Sequence, residues 1–224
     1  MTSFCQTISN GCCEALRSRY IGPMSKFRAD EFHQLRSDLF VWQAYEKAVK
    51  TDLTCCACRT EKGFVFIDPI PLQKEAEAEL LAIAPPRAII LTSGNHERAA
   101  EDYRKRFSIP IYAHADAAAE FSCTLDQTVV DGEIALDEFT VLSIPGAAAG
   151  EIALHRGGAV HLGDALIHLP PYGFALLPDK YCTDPKEMRQ ALGKLLRIPF
   201  ELLTFAHGLP IVAHARQRLA QLLA

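Results

Sequence analysis

A hydroxyl, an amide, an imidazole, a carboxylate and a guanidinium are packed into Ser93-Gly94-Asn95-His96-Glu97-Arg98, directly after Thr92. These are residue types that hold metal ions or small polar ligands. The apolar run Arg87-Ala88-Ile89-Ile90-Leu91 leads in as a strand, and Ala99, Ala100, Tyr103 and Phe107 follow at helical spacing. The junction of a strand with a helix is where α/β folds commonly build sites. The stretch also has a purely local reading, with Asn95 as a helix N-cap and Glu97 as an acid in the first turn. Gly163-Asp164, after the apolar strand Ala159-Val160-His161-Leu162, reads locally as a turn, and His207 beside Gly208 as a hydrogen-bonded turn histidine.

The order of these segments resembles that of the metallo-β-lactamase-fold hydrolases. Thr92 to Arg98 is similar to the family's Thr-HxHxDH, with Ser93, Asn95, Glu97 and Arg98 standing where the family has His, His, Asp and His. Pro145-Gly146-Ala147-Ala148-Ala149-Gly150 is similar to its PGHTPG turn, with Ala147 in place of a metal-binding His. Gly163-Asp164 is similar to the GD whose Asp bridges two metals, and Phe205-Ala206-His207-Gly208-Leu209-Pro210 to the last ligand loop. Phe64-Val65-Phe66-Ile67-Asp68-Pro69 looks like the strand ending in an Asp behind the metal ligands. The likeness spans about Phe32 to the C-terminus.

The resemblance implies a degenerate dinuclear zinc site. Ser93, Asn95 and Ala147 offer a hydroxyl, an amide and a methyl where zinc wants imidazole, thiolate or carboxylate. The expectation is therefore a metal-free or metal-poor pocket in which Arg98 pairs with Asp164, with His207 beside them and no cofactor. Its ligand-binding residues would be Ser93, Asn95, Arg98, Glu151 and Tyr172, with Lys180 and Tyr181 bordering it, and its ligand a small polar or anionic molecule. The alternative is enzymatic. If the loop slips by one residue, His96, Glu97, Asp164 and His207 form one site for zinc, iron or manganese. Asp164 and His207 are then the catalytic candidates of a mononuclear hydrolase of a small ester, thioester or lactone.

Composition sets the bounds. The chain length suits one domain with a sizeable core, and the net charge of −4 with scattered basic residues argues against nucleic acid as a partner. No apolar run approaches the roughly 20 residues needed to span a bilayer, and Met1 to Tyr20 lacks a signal-peptide core, so the expected location is cytoplasmic. Met1 to Pro23 shows no periodic apolar face and is expected to be a mobile, dispensable extension, with Met24 as a second possible start of a single domain over 24–224. Cys55-Cys56-Ala57-Cys58 matches CxxC formally. On a strand, however, Cys55 points to one face while Cys56 and Cys58 share the other, as buried free thiols would.

The elements that must position these groups come in blocks. Phe32 to Thr60 predicts two strands, and the turn Glu61-Lys62-Gly63 joins them to Phe64–Ile67. Leu72 to Ile83 predicts a helix stopped by Pro85-Pro86, then Ala88–Leu91 a strand and Ile109–Ala113 another, with Asp116 capping a short Ala-rich helix. Thr128 to His168 predicts a second antiparallel sheet with turns at Asp131-Gly132 and Arg156-Gly157-Gly158. Asp184 should cap a helix with a stripe of Met188, Ala191, Leu192, Leu195 and Leu196, and Ile211 to Leu223 should form the last. Contiguous strand blocks separated by helices fit an α+β class, an αββα sandwich of two mixed β-sheets packed face to face with helices outside.

Overall fold

The computed structural model describes residues 27–224, so the expected extension over Met1 to Pro23 and the start at Met24 lie outside the described residues. Seven strands lie side by side in chain order in the first sheet: β1 (His33–Arg36), β2 (Leu39–Glu46), β3 (Thr51–Thr60), β4 (Gly63–Ile67), β5 (Pro86–Leu91), β6 (Ile111–His114) and β7 (Gln127–Val129). β1 to β4 pair antiparallel and β4 to β7 parallel. The second sheet contains β8 (Ile134–Ala135), β9 (Phe139–Ser143), β10 (Ile152–Arg156) and β11 (Ala159–Leu162). A hairpin of β12 (Leu166–Leu169) and β13 (Gly173–Leu176) follows, and β14 (Leu202–Phe205) returns to the second sheet parallel to β11.

Period-two alternation builds the layers. Phe40, Trp42, Phe64 and Phe66 face α1 (Lys74–Ile83) and α2 (Ala100–Phe107), where Phe40 meets Phe64 edge-on at 5.4 Å and Phe66 meets Tyr103 at 5.2 Å. Their neighbours Leu39, Val41, Val65 and Ile67 face the other way, onto Phe139, Val141, Ile152 and Leu154 of the second sheet. The outer face of that sheet is covered by α3 (Pro185–Leu195) and α4 (Ala215–Leu223), through Met188, Leu192, Leu195 and Leu219. Burying each such side chain contributes about 1.5 to 3 kcal/mol. The result is the αββα sandwich of two mixed sheets with outer helices. Among the described residues no helix is long and apolar enough to cross a membrane.

The thiols follow the same alternation. Cys55 packs in the helix-covered layer and Cys56 with Cys58 between the sheets, and all three are free. Asp184 caps α3 as expected, accepting the amides of Lys186 and Glu187 at 2.9 and 3.1 Å.

Four helix starts differ from expectation, the first being α1, which begins at Lys74 because Leu72 bridges Ala29. α2 begins at Ala100 and is not capped by Asn95, because Arg98 adopts a left-handed φ of 43° and breaks the helical path. The short 3-10 turn Ala115–Glu120 is capped by His114, whose Nδ1 accepts the Asp116 amide, and not by Asp116. α4 starts at Ala215 because Ile211 instead bridges Leu203 and His214 turns left-handed at φ 55°.

Parallel pairing gathers the candidate residues at one rim. β4 and β5 run parallel, so the residues beyond their ends, Asp68 and Thr92, are neighbours; β11 and β14 do the same for Asp164 and His207.

Candidate metal centre

The centre is built from the support inward. Asp68 follows β4 in a left-handed conformation, φ 51°, which places its carboxylate under the end of β5. Its Oδ1 accepts the Thr92 amide at 2.8 Å and its Oδ2 accepts the Thr92 hydroxyl at 2.5 Å. His96 Nδ1 lies 3.0 Å from the same Oδ2 and 3.1 Å from Thr92 Oγ1. A carboxylate only accepts, so Nδ1 carries the proton that His96 donates to Asp68. On the other side, His207 Nδ1 donates to the Asp52 carbonyl at 3.0 Å.

Both rings therefore turn Nε2 inward. Each Nε2 lies 3.1 Å from Asp164 Oδ1. The donor atoms of His96, Asp164 and His207 all lie within 4.8 Å of one another. Nδ1 tied to a carboxylate or a carbonyl, with Nε2 free to coordinate, is the arrangement that metal-binding histidines take. Two imidazole nitrogens and one carboxylate oxygen suit zinc, iron or manganese. The residues present fit a single divalent ion.

Without an ion the same atoms need protons. Burial works against charge on His96, yet the carboxylates of Asp68 and Asp164 outweigh it and push its pKa up to about 10. Burial opposes ionisation of Asp164 too, but His96 and His207 hold its carboxyl well below the usual range. Glu151 is 2% exposed, and burial followed by the charge of Asp164 raises it to about 8. Its Oε1 accepts the Ala165 amide at 2.9 Å, while Oε2 is buried without a hydrogen-bond partner.

Arg98 does not pair with Asp164, contrary to expectation. Its guanidinium donates to the carbonyls of Thr54 at 2.8 Å, Asp68 at 3.0 Å and Ala206 at 3.2 Å. The left-handed turn at Arg98 directs the fork to backbone oxygens of three segments and leaves Asp164 to the two imidazoles. Thr54 joins the same clasp, donating its amide to Ala206 and its hydroxyl to Gly208. Arg98 thus ties together β3 and the loops carrying Asp68 and His207.

The other expected residues are dispersed. Glu97 turns away from the triad and accepts the amide and hydroxyl of Ser122 at 2.6 and 2.7 Å. Ser93 is fully buried with an unpartnered Oγ, Asn95 is exposed, and Ala147 belongs to the core beneath α3. Tyr172 sits 67% exposed at the tip of the β12–β13 hairpin, whose His168 grips the His207 loop through Leu209. Tyr181 is exposed beside Lys180. The Asp52 carbonyl had no signal in the sequence, since any residue carries one. Deeper between the sheets, Cys58 Sγ lies 3.4 Å from His161 Nε2 and Thr204 Oγ1 2.7 Å from His161 Nδ1; burial lowers His161 to about 3, so it stays a neutral structural residue.

A family profile described as the Metallo-beta-lactamase superfamily matches residues 32–224. The DIM-1 metallo-β-lactamase superposes with a TM-score of 0.71 at 11% identity, over 88% of this chain and 98% of that one. A metallo-β-lactamase from Pontibacter korlensis gives 0.65 at 18% identity, covering 85% of this chain and 98% of that one. The FIM-1 enzyme of Pseudomonas aeruginosa, solved in a mono-zinc form, gives 0.66 at 13% identity, covering 86% and 93%. At such identities the likeness is one of fold. No curated protein matches the chain significantly.

Proposed function

The chain belongs to the metallo-beta-lactamase superfamily, and we propose that it is a mononuclear metal-dependent hydrolase of a small ester, thioester or lactone. The observation that carries this reading is the convergence of His96 Nε2, His207 Nε2 and Asp164 Oδ1 with both Nδ1 atoms already engaged. The fold supports one metal per chain as a workable state, since the FIM-1 relative was solved with a single zinc. Within this reading His96, Asp164 and His207 hold the ion, Asp68 and the Asp52 carbonyl orient the rings, and Arg98 keeps the two loops in register. A bound divalent ion supplies Lewis acidity and lowers the pKa of water. Glu97 has no part in it, and Tyr172, exposed at the tip of the neighbouring hairpin, is the proposed substrate contact.

A second reading keeps the pocket metal-free, as a binding site for a small polar or anionic ligand. The proton on His96 between two carboxylates favours it, because it bonds His96 to Asp164 without an ion. The two are separated by supplying purified protein with one equivalent of zinc, iron(II) or manganese(II) and measuring hydrolysis of p-nitrophenyl acetate and a simple lactone. Metal-dependent turnover lost in His207→Ala supports the hydrolase. Absence of both metal uptake and turnover supports the binding module.

A further inference from the structure

Resting on the reading of the triad as a cation site, we propose that Glu151 is its outer carboxylate. It acts on the bound ion through one water and biases the site toward water-retaining ions such as manganese(II) over zinc(II). Glu151 is drawn inward by an empty notch at Gly163: a Cβ there would sit 2.7 and 2.8 Å from its two carboxylate oxygens and 2.8 Å from Thr92 Oγ1. The carboxylate therefore stands beside the threonine that braces Asp68 and His96, and Asp164 is the next residue along the chain. One oxygen is satisfied by Ala165, and the other is buried with no partner. A buried carboxylate oxygen left unpaired is costly, so a donor or a cation belongs there.

Charge points the same way. With His96 neutral, as coordination through Nε2 requires, and Glu151 as a carboxylate, Asp68, Asp164 and Glu151 bring three negative charges to this rim, and Arg98, bonded to the Asp68 carbonyl, brings one positive. A divalent ion closes that balance. Glu151 lies outside the set of donor atoms within 4.8 Å of one another, which is why a water intervenes. Ions that keep water ligands gain most from such an acceptor, and zinc in a tetrahedral site gains least.

The test titrates the full-length chain with manganese(II) and, against a competing chelator, zinc(II), in the wild type, Glu151→Gln and Glu151→Asp. The expected result is a tenfold to hundredfold loss of manganese affinity in Glu151→Gln, of the order seen for outer partners of metal sites, with zinc weakened less than about threefold. The Asp variant recovers part of it. The thermal midpoint of the metal-free Gln variant should not fall, as it would if Glu151 served only the fold. Should Glu151→Gln not fold, Gly163→Ala displaces the carboxylate without removing it and should weaken manganese in the same sense. Equal weakening of both ions, or unchanged manganese affinity, overturns the role of Glu151 while leaving the triad intact. A wild type that binds neither ion overturns both.

Discussion

Removing Arg98 measures how much of the rim is held by one side chain. Its guanidinium makes three hydrogen bonds, to Thr54, Asp68 and Ala206, which lie in three different segments. A hydrogen bond to a charged group is worth about 1.5 to 3 kcal/mol. The Arg98 side chain is only half-buried and water can replace some of these bonds, so Arg98→Ala should cost about 2 to 4 kcal/mol in total. Urea unfolding of the metal-free protein reads this as a lower midpoint at an unchanged slope. Arg98→Lys should recover little, because an ammonium cannot reproduce the fork. A double-mutant cycle with Asp164→Asn separates a carbonyl clasp from a direct ion pair: the clasp gives coupling within about 0.5 kcal/mol, and a buried pair several times more. A loss under about 1 kcal/mol, or strong coupling to Asp164, would refute the reasoning.

The pKa of His96, raised to about 10, means that its stabilising proton is fully present below the unfolded value of 6.5 and is lost as pH rises toward 10. Metal-free protein should therefore lose stability across that window, and His96→Asn should flatten the decline in pH-dependent thermal melts; an unchanged slope would contradict the assignment. Glu151, raised to about 8, destabilises the fold as pH rises from 4.5 to 8, so Glu151→Gln should stabilise metal-free protein near pH 8 in the same melts, and a loss there would count against it. Burial pushes Cys56 up to about 12 and raises Cys55 and Cys58 well above the usual thiol value, so none should react with a thiol reagent in the native state at neutral pH. Peptide mapping after brief labelling checks this, and modification of Cys58 without unfolding would overturn it.

The sandwich was legible because its layers are written as alternation. Phe40 and Trp42 against Leu39 and Val41, or Cys55 against Cys56 and Cys58, assign opposite faces without any knowledge of partners. The same holds for the stripe of α3. The site was legible in its anchors, Asp68, Asp164 and His207, each just past a strand end, but not in its loop. Motif spacing puts Glu97 and Arg98 at the metal and reaches His96 only in the register slipped by one residue; the loop, with its left-handed turn at Arg98, brings His96 there and sends Glu97 to Ser122. Such a turn depends on where a guanidinium finds three carbonyls, a tertiary fact with no local signature. The sequence points Arg98 at Asp164 because charge is visible in a sequence and carbonyl geometry is not.

A calorimetric titration of the purified chain reads directly whether His96, Asp164 and His207 form one metal site. At pH 7.5 one zinc, iron(II) or manganese(II) ion should bind per chain, with protons released because His96 must give up its Nε2 proton to coordinate. Binding should be lost in His96→Ala and in His207→Ala and retained in Glu97→Gln. No uptake by the wild type, or uptake unchanged in both histidine variants, would contradict it.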